Sequence, residues 1–153
     1  MDNLFSFGLD ELDNECDTPA HSIADASERL HFIITRHAQL VTRGQGAITI
    51  LVDEITALTP AQNRKITARK REYFDKLRGT LNELKAEGKL QDVDPTTAAF
   101  SILGMVNWLS RWFRPDGSLT PDQIGEEIAK IVLHGLIRPE ERGVRHGLKI
   151  VKS

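Results

Sequence analysis

The sequence predicts an all-α domain of about six helices. Three observations predict it: N-cap signatures followed by Pro recur along the chain, apolar residues between them fall at three- and four-residue steps, and no strand-like alternation of useful length appears. At 153 residues the chain suits one domain, large enough to bury about two thirds of the surface its unfolded form exposes. With 40% hydrophobic and 27% charged residues and a net charge of -2, it is neither a disordered chain nor one drawn as a whole to polyanions.

The first helix is expected over LFSFGLDEL, Leu4 to Leu12, inside a segment of one sign. From Met1 to Glu28 there are eight acidic residues (Asp2, Asp10, Glu11, Asp13, Glu15, Asp17, Asp25, Glu28) and no Lys or Arg, so phosphate would repel it. SIAD, Ser22 to Asp25, is a weak capping box for a second helix, with Ile23, Ala26, Leu30, Ile33, His37 and Val41 on one face and RGQG ending it. AITILVDEITAL then makes a shorter helix through Ile48, Leu51, Val52 and Ile55.

TPAQ, Thr59 to Gln62, offers a Thr N-cap, a Pro at the first helical position and a Gln to close a capping box. It starts a long helix from Pro60 to about Glu87, with Ile66, Tyr73, Phe74, Leu77, Leu81 and Leu84 on its buried side and Gly88 past its end. Its stretch RKITARKR, Arg64 to Arg71, carries five basic residues and no acid, which reads first as a solvated face.

DPTT, Asp94 to Thr97, opens a helix from Pro95 to Phe113 that is apolar or small nearly all round. Ile102, Val106, Leu109 and Phe113 form one stripe and Ser101, Gly104, Trp108 and Trp112 another. TPDQ, Thr120 to Gln123, opens the last helix, Pro121 to about Ile137. Here Ile124, Ile128, Ile131 and Gly135 form one line and Gly125, Ala129, Val132 and Leu136 the next.

A helix apolar on two faces is buried on two sides. Two such helices predict a second copy of the chain as partner, in a four-helix homodimer interface through Ser101, Gly104, Trp108, Trp112, Gly125, Ile128, Ala129, Val132 and Leu136. Residues 1–139 are expected to form the domain and 140–153 a flexible tail.

The motifs of common chemistry are missing. RGQGA has neither dinucleotide nor P-loop spacing, and the five His (His21, His31, His37, His134, His146) form no H-E-x-x-H or i, i+4 pair. Neither a metal nor a cofactor is expected. With Cys16 alone, no intramolecular disulfide and no Cys-based zinc site can form, which suits a reducing cytoplasm. The longest apolar run, Ala47 to Val52, is too short to span a bilayer, and no export signal opens the chain, so no membrane association is expected.

His37, on the apolar stripe with Ile33 and Val41, reads either as a core residue with both nitrogens satisfied or as a polar group lining a ligand cavity. Asn107 and Arg111, one turn apart beside the Trp pair, carry the same two readings. No nucleophile, base and orienter can be grouped, and no enzyme is expected.

Ala86 to Pro139, AEGKLQDVDPTTAAFSILGMVNWLSRWFRPDGSLTPDQIGEEIAKIVLHGLIRP, resembles the C-terminal half of a TetR/AcrR-family transcriptional regulator. The shared features are a Gly-x-Leu turn, an Asp-Pro helix start, Gly-Met-x-Asn-Trp followed by an aromatic-Arg-Pro-Asp-Gly turn, and a Pro-started last helix ending in Gly-Leu. The helix order upstream, with REYFDKL on the long helix, extends the likeness over roughly residues 3 to 139.

The resemblance implies an effector-binding domain that dimerises through its last two helices, around a mostly apolar pocket. Candidate lining residues are Phe32, His37, Leu51, Tyr73, Leu77, Asn107 and Arg111, and the implied effector is an apolar small molecule such as a fatty acyl-CoA, whose phosphates the Arg64 to Arg71 face would meet. The family's helix-turn-helix has no counterpart here, and an acidic start cannot replace it, so DNA is expected only through a head absent from these residues. The alternative is a headless helical protein that heterodimerises with a full-length regulator and binds no ligand of its own.

Overall fold

The computed structural model describes residues 2–43 and 58–139. The chain opens with α1 (Asp2–Leu12), which runs through a π-helical stretch, Asp13–Asp17, into the single turn α2 (Thr18–His21). Four longer helices follow: α3 (Ala26–Arg43), α4 (Pro60–Ala86), α5 (Pro95–Trp112) and α6 (Pro121–Leu136). The fold is all-α. The expected helix over Ala47 to Leu58, the terminator after Arg43 and the tail beyond Pro139 lie outside the described residues, Leu58 excepted.

Three of the expected helix starts form as their chemistry dictates. Thr59 with Gln62, and Thr120 with Gln123, close complete capping boxes, and the Asp94 carboxylate accepts from the Thr97 amide at 2.8 Å. Each such cap stabilises its helix by about 1 kcal/mol. The fourth start differs: the Glu28 amide donates to the Asp25 carboxylate at 2.9 Å, so Asp25 caps α3, while the Ser22 hydroxyl donates back to the Pro19 carbonyl at 2.8 Å. Ser22 closes the preceding turn, and Ile23 stands outside the helix.

At the end of α4, Gly88 has a φ of 70°, a left-handed conformation that L side chains strain to adopt. Its amide reaches the Lys85 carbonyl and that of Lys89 the Leu84 carbonyl, the two bonds of a Schellman ending. The loop then pairs with the chain after α6: Gln91 donates to Leu136 at 2.7 Å, and Arg138 to Lys89 at 2.9 Å. These bonds tie the two ends of the α5–α6 hairpin together.

Helix α3 is the central column, contacted by α4, α5 and α6. Leu30, Ile34, Leu77, Leu81, Leu84, Val106 and Leu109 are the largest fully buried apolar side chains. α6 lies so close to α3 that a Cβ built on Gly125 would sit 3.1 Å from the Thr35 carbonyl oxygen. A glycine lets these two backbones meet.

The acidic opening segment is held by cations on the helices beneath it. Arg69 pairs with Asp10 at 2.9 Å and Asp13 at 2.7 Å, Arg36 with Glu15 at 3.1 Å, and Lys76 with Asp17. The basic stretch of α4 is therefore not wholly a solvated face. Arg69 holds α1, while Arg64, Lys65 and Arg71 stay exposed.

Candidate functional site

A polar chain crosses the apolar interior and joins four segments. The Cys16 thiol, brought inward by the π-helical stretch, donates to the Ile33 carbonyl at 3.7 Å and lies 3.5 Å from the Tyr73 hydroxyl. That hydroxyl is 3.1 Å from His37 Nδ1, with the two rings edge to face at 5.4 Å. The His37 side chain bonds in turn to that of Asn107 on α5. The chain therefore runs from the first helical segment through α4 and α3 to α5.

Every member with a shifted pKa is held neutral by burial. Desolvation lowers His37 to about 4, against an upward pull from the Asn107 hydrogen bond, and it raises Cys16 to about 12 and Tyr73 well above its ordinary value. A neutral, unreactive thiol, a phenol and a one-proton imidazole orient hydrogen bonds. They do not supply charge or a nucleophile.

Of the sequence-predicted pocket residues, His37, Tyr73 and Leu77 are buried, Phe32 packs partly buried against the core, and Asn107 is half-buried. Arg111 is exposed, so it does not share Asn107's surroundings, and Leu51 lies outside the described residues. Tyr73, His37 and Asn107 are brought together by direct bonds. Sequence reasoning missed Cys16 as a member, because its link to Tyr73 spans 57 positions and has no spacing to betray it.

Grooves open elsewhere among the described residues. One of about 790 Å³ lies between the start of α3 and α6, with Glu28, His31, Glu126, Lys130 and Leu133 in its wall, and His31 meets Glu126 across it at 2.9 Å. Another of about 710 Å³ follows α4 past Arg64, Thr67 and Arg71. Among the described residues no group of three or more His, Cys, Asp or Glu could hold a metal ion, and no helix is long and apolar enough to cross a membrane.

The outer face of the α5–α6 hairpin is apolar and uncovered. Trp108 is 63% exposed, Trp112 50%, and Phe100 and Ile131 63% each. Ser101 and Gly104 share the exposed side of α5, and a Cβ on Gly104 or Gly135 would meet nothing within 4 Å. The sequence expectation needs correcting on α6: Gly125, Ile128, Ala129 and Val132 are buried within the subunit rather than on its surface, and Leu136 is half-buried. α6 presents Ile131, His134 and Gly135 outward instead. Both apolar lines of that helix were legible, but they do not divide into an inner and an outer one: Ile124 and Ile128 turn inward with Gly125, Ala129 and Val132, and only the ends at Ile131 and Gly135 face out.

The comparisons agree with this architecture. A family model described as "Tetracyclin repressor-like, C-terminal domain" matches residues 24–136. The HTH-type transcriptional repressor KstR2 of Rhodococcus jostii is 26% identical over 141 residues, covering 91% of this chain and 69% of that protein. The crystal structure of AibR in complex with isovaleryl coenzyme A and operator DNA superposes with a TM-score of 0.79 at 34% identity, over 85% of this chain and 71% of that one. The ketosteroid transcriptional regulator KstR2 of Mycobacterium tuberculosis gives a TM-score of 0.83 at 26% identity, over 90% and 71% of the respective chains.

Proposed function

Because the chain belongs to the family of tetracyclin repressor-like C-terminal domains, we propose that it is the effector-binding and dimerising part of a TetR-like transcriptional regulator that senses a fatty acyl-CoA or a similar apolar thioester. The observation that carries the acyl-CoA reading is the likeness, at 34% identity, to AibR, whose structure holds isovaleryl coenzyme A. The effector's acyl part lies among Phe32, His37, Tyr73, Leu77 and Asn107, an apolar interior with a few neutral polar groups, as small-molecule sites generally are. Arg111, on the exposed side of α5, stands nearer the ligand's polar end.

Dimerisation uses the uncovered face of the hairpin. Phe100, Ser101, Gly104, Trp108 and Trp112 of α5 meet the partner together with Ile131, Gly135 and Leu136 of α6. The aromatic side chains supply the anchors and the glycines the close approach, in a two-fold arrangement. No catalytic step is part of this reading, and the compartment is the cytoplasm.

Native mass spectrometry of the chain with isovaleryl-CoA and octanoyl-CoA tests both halves. The expected result is a dimer that retains an acyl-CoA. A species that stays monomeric at micromolar concentration removes the dimer, and a dimer that retains neither thioester removes the acyl-CoA reading.

A further inference from the structure

The first helical segment is joined to the helices beneath it in a different way from the rest of the core. Of residues 7–21, Leu9, Leu12, Cys16 and Ala20 are the buried apolar side chains, and Leu9 meets Ile66 in a small cluster apart from the main core. Helix α3, of similar length, buries Leu30, Ile33, Ile34, Leu40 and Val41. What the segment lacks in apolar contact it has in charge: Asp10 and Asp13 meet Arg69, Glu15 meets Arg36, and Asp17 meets Lys76.

Three of those four acids stay open to water, with Asp10, Asp13 and Glu15 keeping 59, 45 and 42% of their side chains exposed. Pairs of that exposure are weak and are screened by salt. The segment also has a definite end. Arg29 clamps the corner after α2, donating from Nε to the Ile23 carbonyl at 2.9 Å, from Nη2 to the Ala24 carbonyl at 3.2 Å and from Nη1 to Glu83 of α4. Between that clamp and the Lys76–Asp17 pair a cavity of about 380 Å³ is left, with Ala20, Ile33, Gly79 and Thr80 in its wall.

Under the segment the interior is closed. Cys16 bonds to the Ile33 carbonyl and the Tyr73 hydroxyl, His37 and Leu77 are almost wholly enclosed, and no groove described above is lined by His37, Tyr73 or Asn107. An effector can reach those residues only if an element moves. We propose that residues 2–17 are a strap that lifts from α3 and α4 about the α2 corner while the rest of the subunit stays folded, and that this opening admits the effector to the interior around Tyr73 and His37. The entry role rests on the effector-binding reading above; the lifting itself does not. Segments with few buried apolar contacts and solvent-exposed bonds open at lower cost than the whole fold.

Cys16 is the only cysteine of the chain and is fully enclosed, so its alkylation by neutral iodoacetamide reads the opening directly. In the ligand-free chain, labelling should run ahead of global unfolding and rise less steeply with urea than unfolding followed by circular dichroism, because lifting exposes less surface. Arg69→Gln should speed labelling about threefold or more, since each of its two ion pairs is worth a factor of up to about five. Raising the salt to about 1 M should speed it in the unaltered chain. Leu109→Ala, on α5, loosens the whole fold but should leave the labelling rate nearly unchanged.

Stopped-flow mixing with isovaleryl-CoA, followed by intrinsic fluorescence, tests entry: the association rate should rise about threefold or more in Arg69→Gln. Labelling that follows urea as steeply as global unfolding does, or that Leu109→Ala speeds more than Arg69→Gln, overturns the strap. Equal association rates in Arg69→Gln and the unaltered chain overturn the entry role. If the unaltered chain binds neither isovaleryl-CoA nor octanoyl-CoA, the effector reading has failed and the entry role falls with it, while the labelling result still decides the strap.

Discussion

The two sides of α5 differ sharply in burial, although they share one backbone and nearly one hydropathy. On the inner side Ala99, Val106 and Leu109 are fully enclosed, and on the outer side Phe100, Trp108 and Trp112 are half or more exposed. Large apolar side chains left in water mark a contact still to be made, whereas those inside already contribute to the stability of the single subunit. The same helix therefore serves two folding events.

The sharpest way to break this distinction is to truncate one residue on each side. Leu109→Ala should destabilise the subunit by about 2–5 kcal/mol, read as a lower urea midpoint, because it opens a cavity in a filled core. Trp108→Ala combined with Trp112→Ala should instead shift sedimentation to a smaller species while the helical content stays unchanged. If the Trp pair unfolds the chain as Leu109→Ala does, both faces are core and the distinction is false.

A smaller effect separates the glycines. Gly125→Val should cost roughly 1–3 kcal/mol in the same urea titration, because its side chain must push against the α3 backbone at Thr35. Gly104→Ala meets nothing in the subunit and should raise the stability of the monomer by up to about 1 kcal/mol through helix propensity, while weakening the dimer. Equal losses in the two variants would mean that Gly104 is also packed.

The smallest effect concerns the polar chain beneath the inner side. His37 has its folded pKa lowered to about 4 from 6.5, so the unfolded chain binds the proton more readily. Its contribution is complete above the unfolded value and is lost as pH falls from there through about 4, amounting to roughly 1 kcal/mol between pH 7 and 5.5. Thermal midpoints measured across that range should fall less steeply in His37→Gln than in the unaltered chain. Parallel slopes would show that His37 is not the neutral, buried imidazole that this burial implies.

What could be read in advance followed the range of the interactions. The boxes at Thr59 and Thr120 and the cap at Asp94 are complete within four residues, so they are legible in the chain and form as expected. The cap of α3 was misplaced by three positions because Ser22 and Asp25 are both good caps, and the choice depends on the Pro19 carbonyl claiming the Ser22 hydroxyl. His37, Tyr73 and Asn107 could be singled out as polar groups beside apolar stripes. The link from Tyr73 to Cys16 could not, since it depends on the packing of the first helical segment onto α3 and α4.

Local chemistry alone thus determined that this protein is helical, where most of its helices begin, and that its last two helices are apolar on more than one side. The tertiary structure decided which side turns inward. Periodicity marks apolar stripes without ranking them, and α6 shows why that matters: the line through Gly125, Ala129 and Val132 is buried because only a missing side chain at Gly125 lets α3 and α6 touch, and Ile131 is left outside by the same contact.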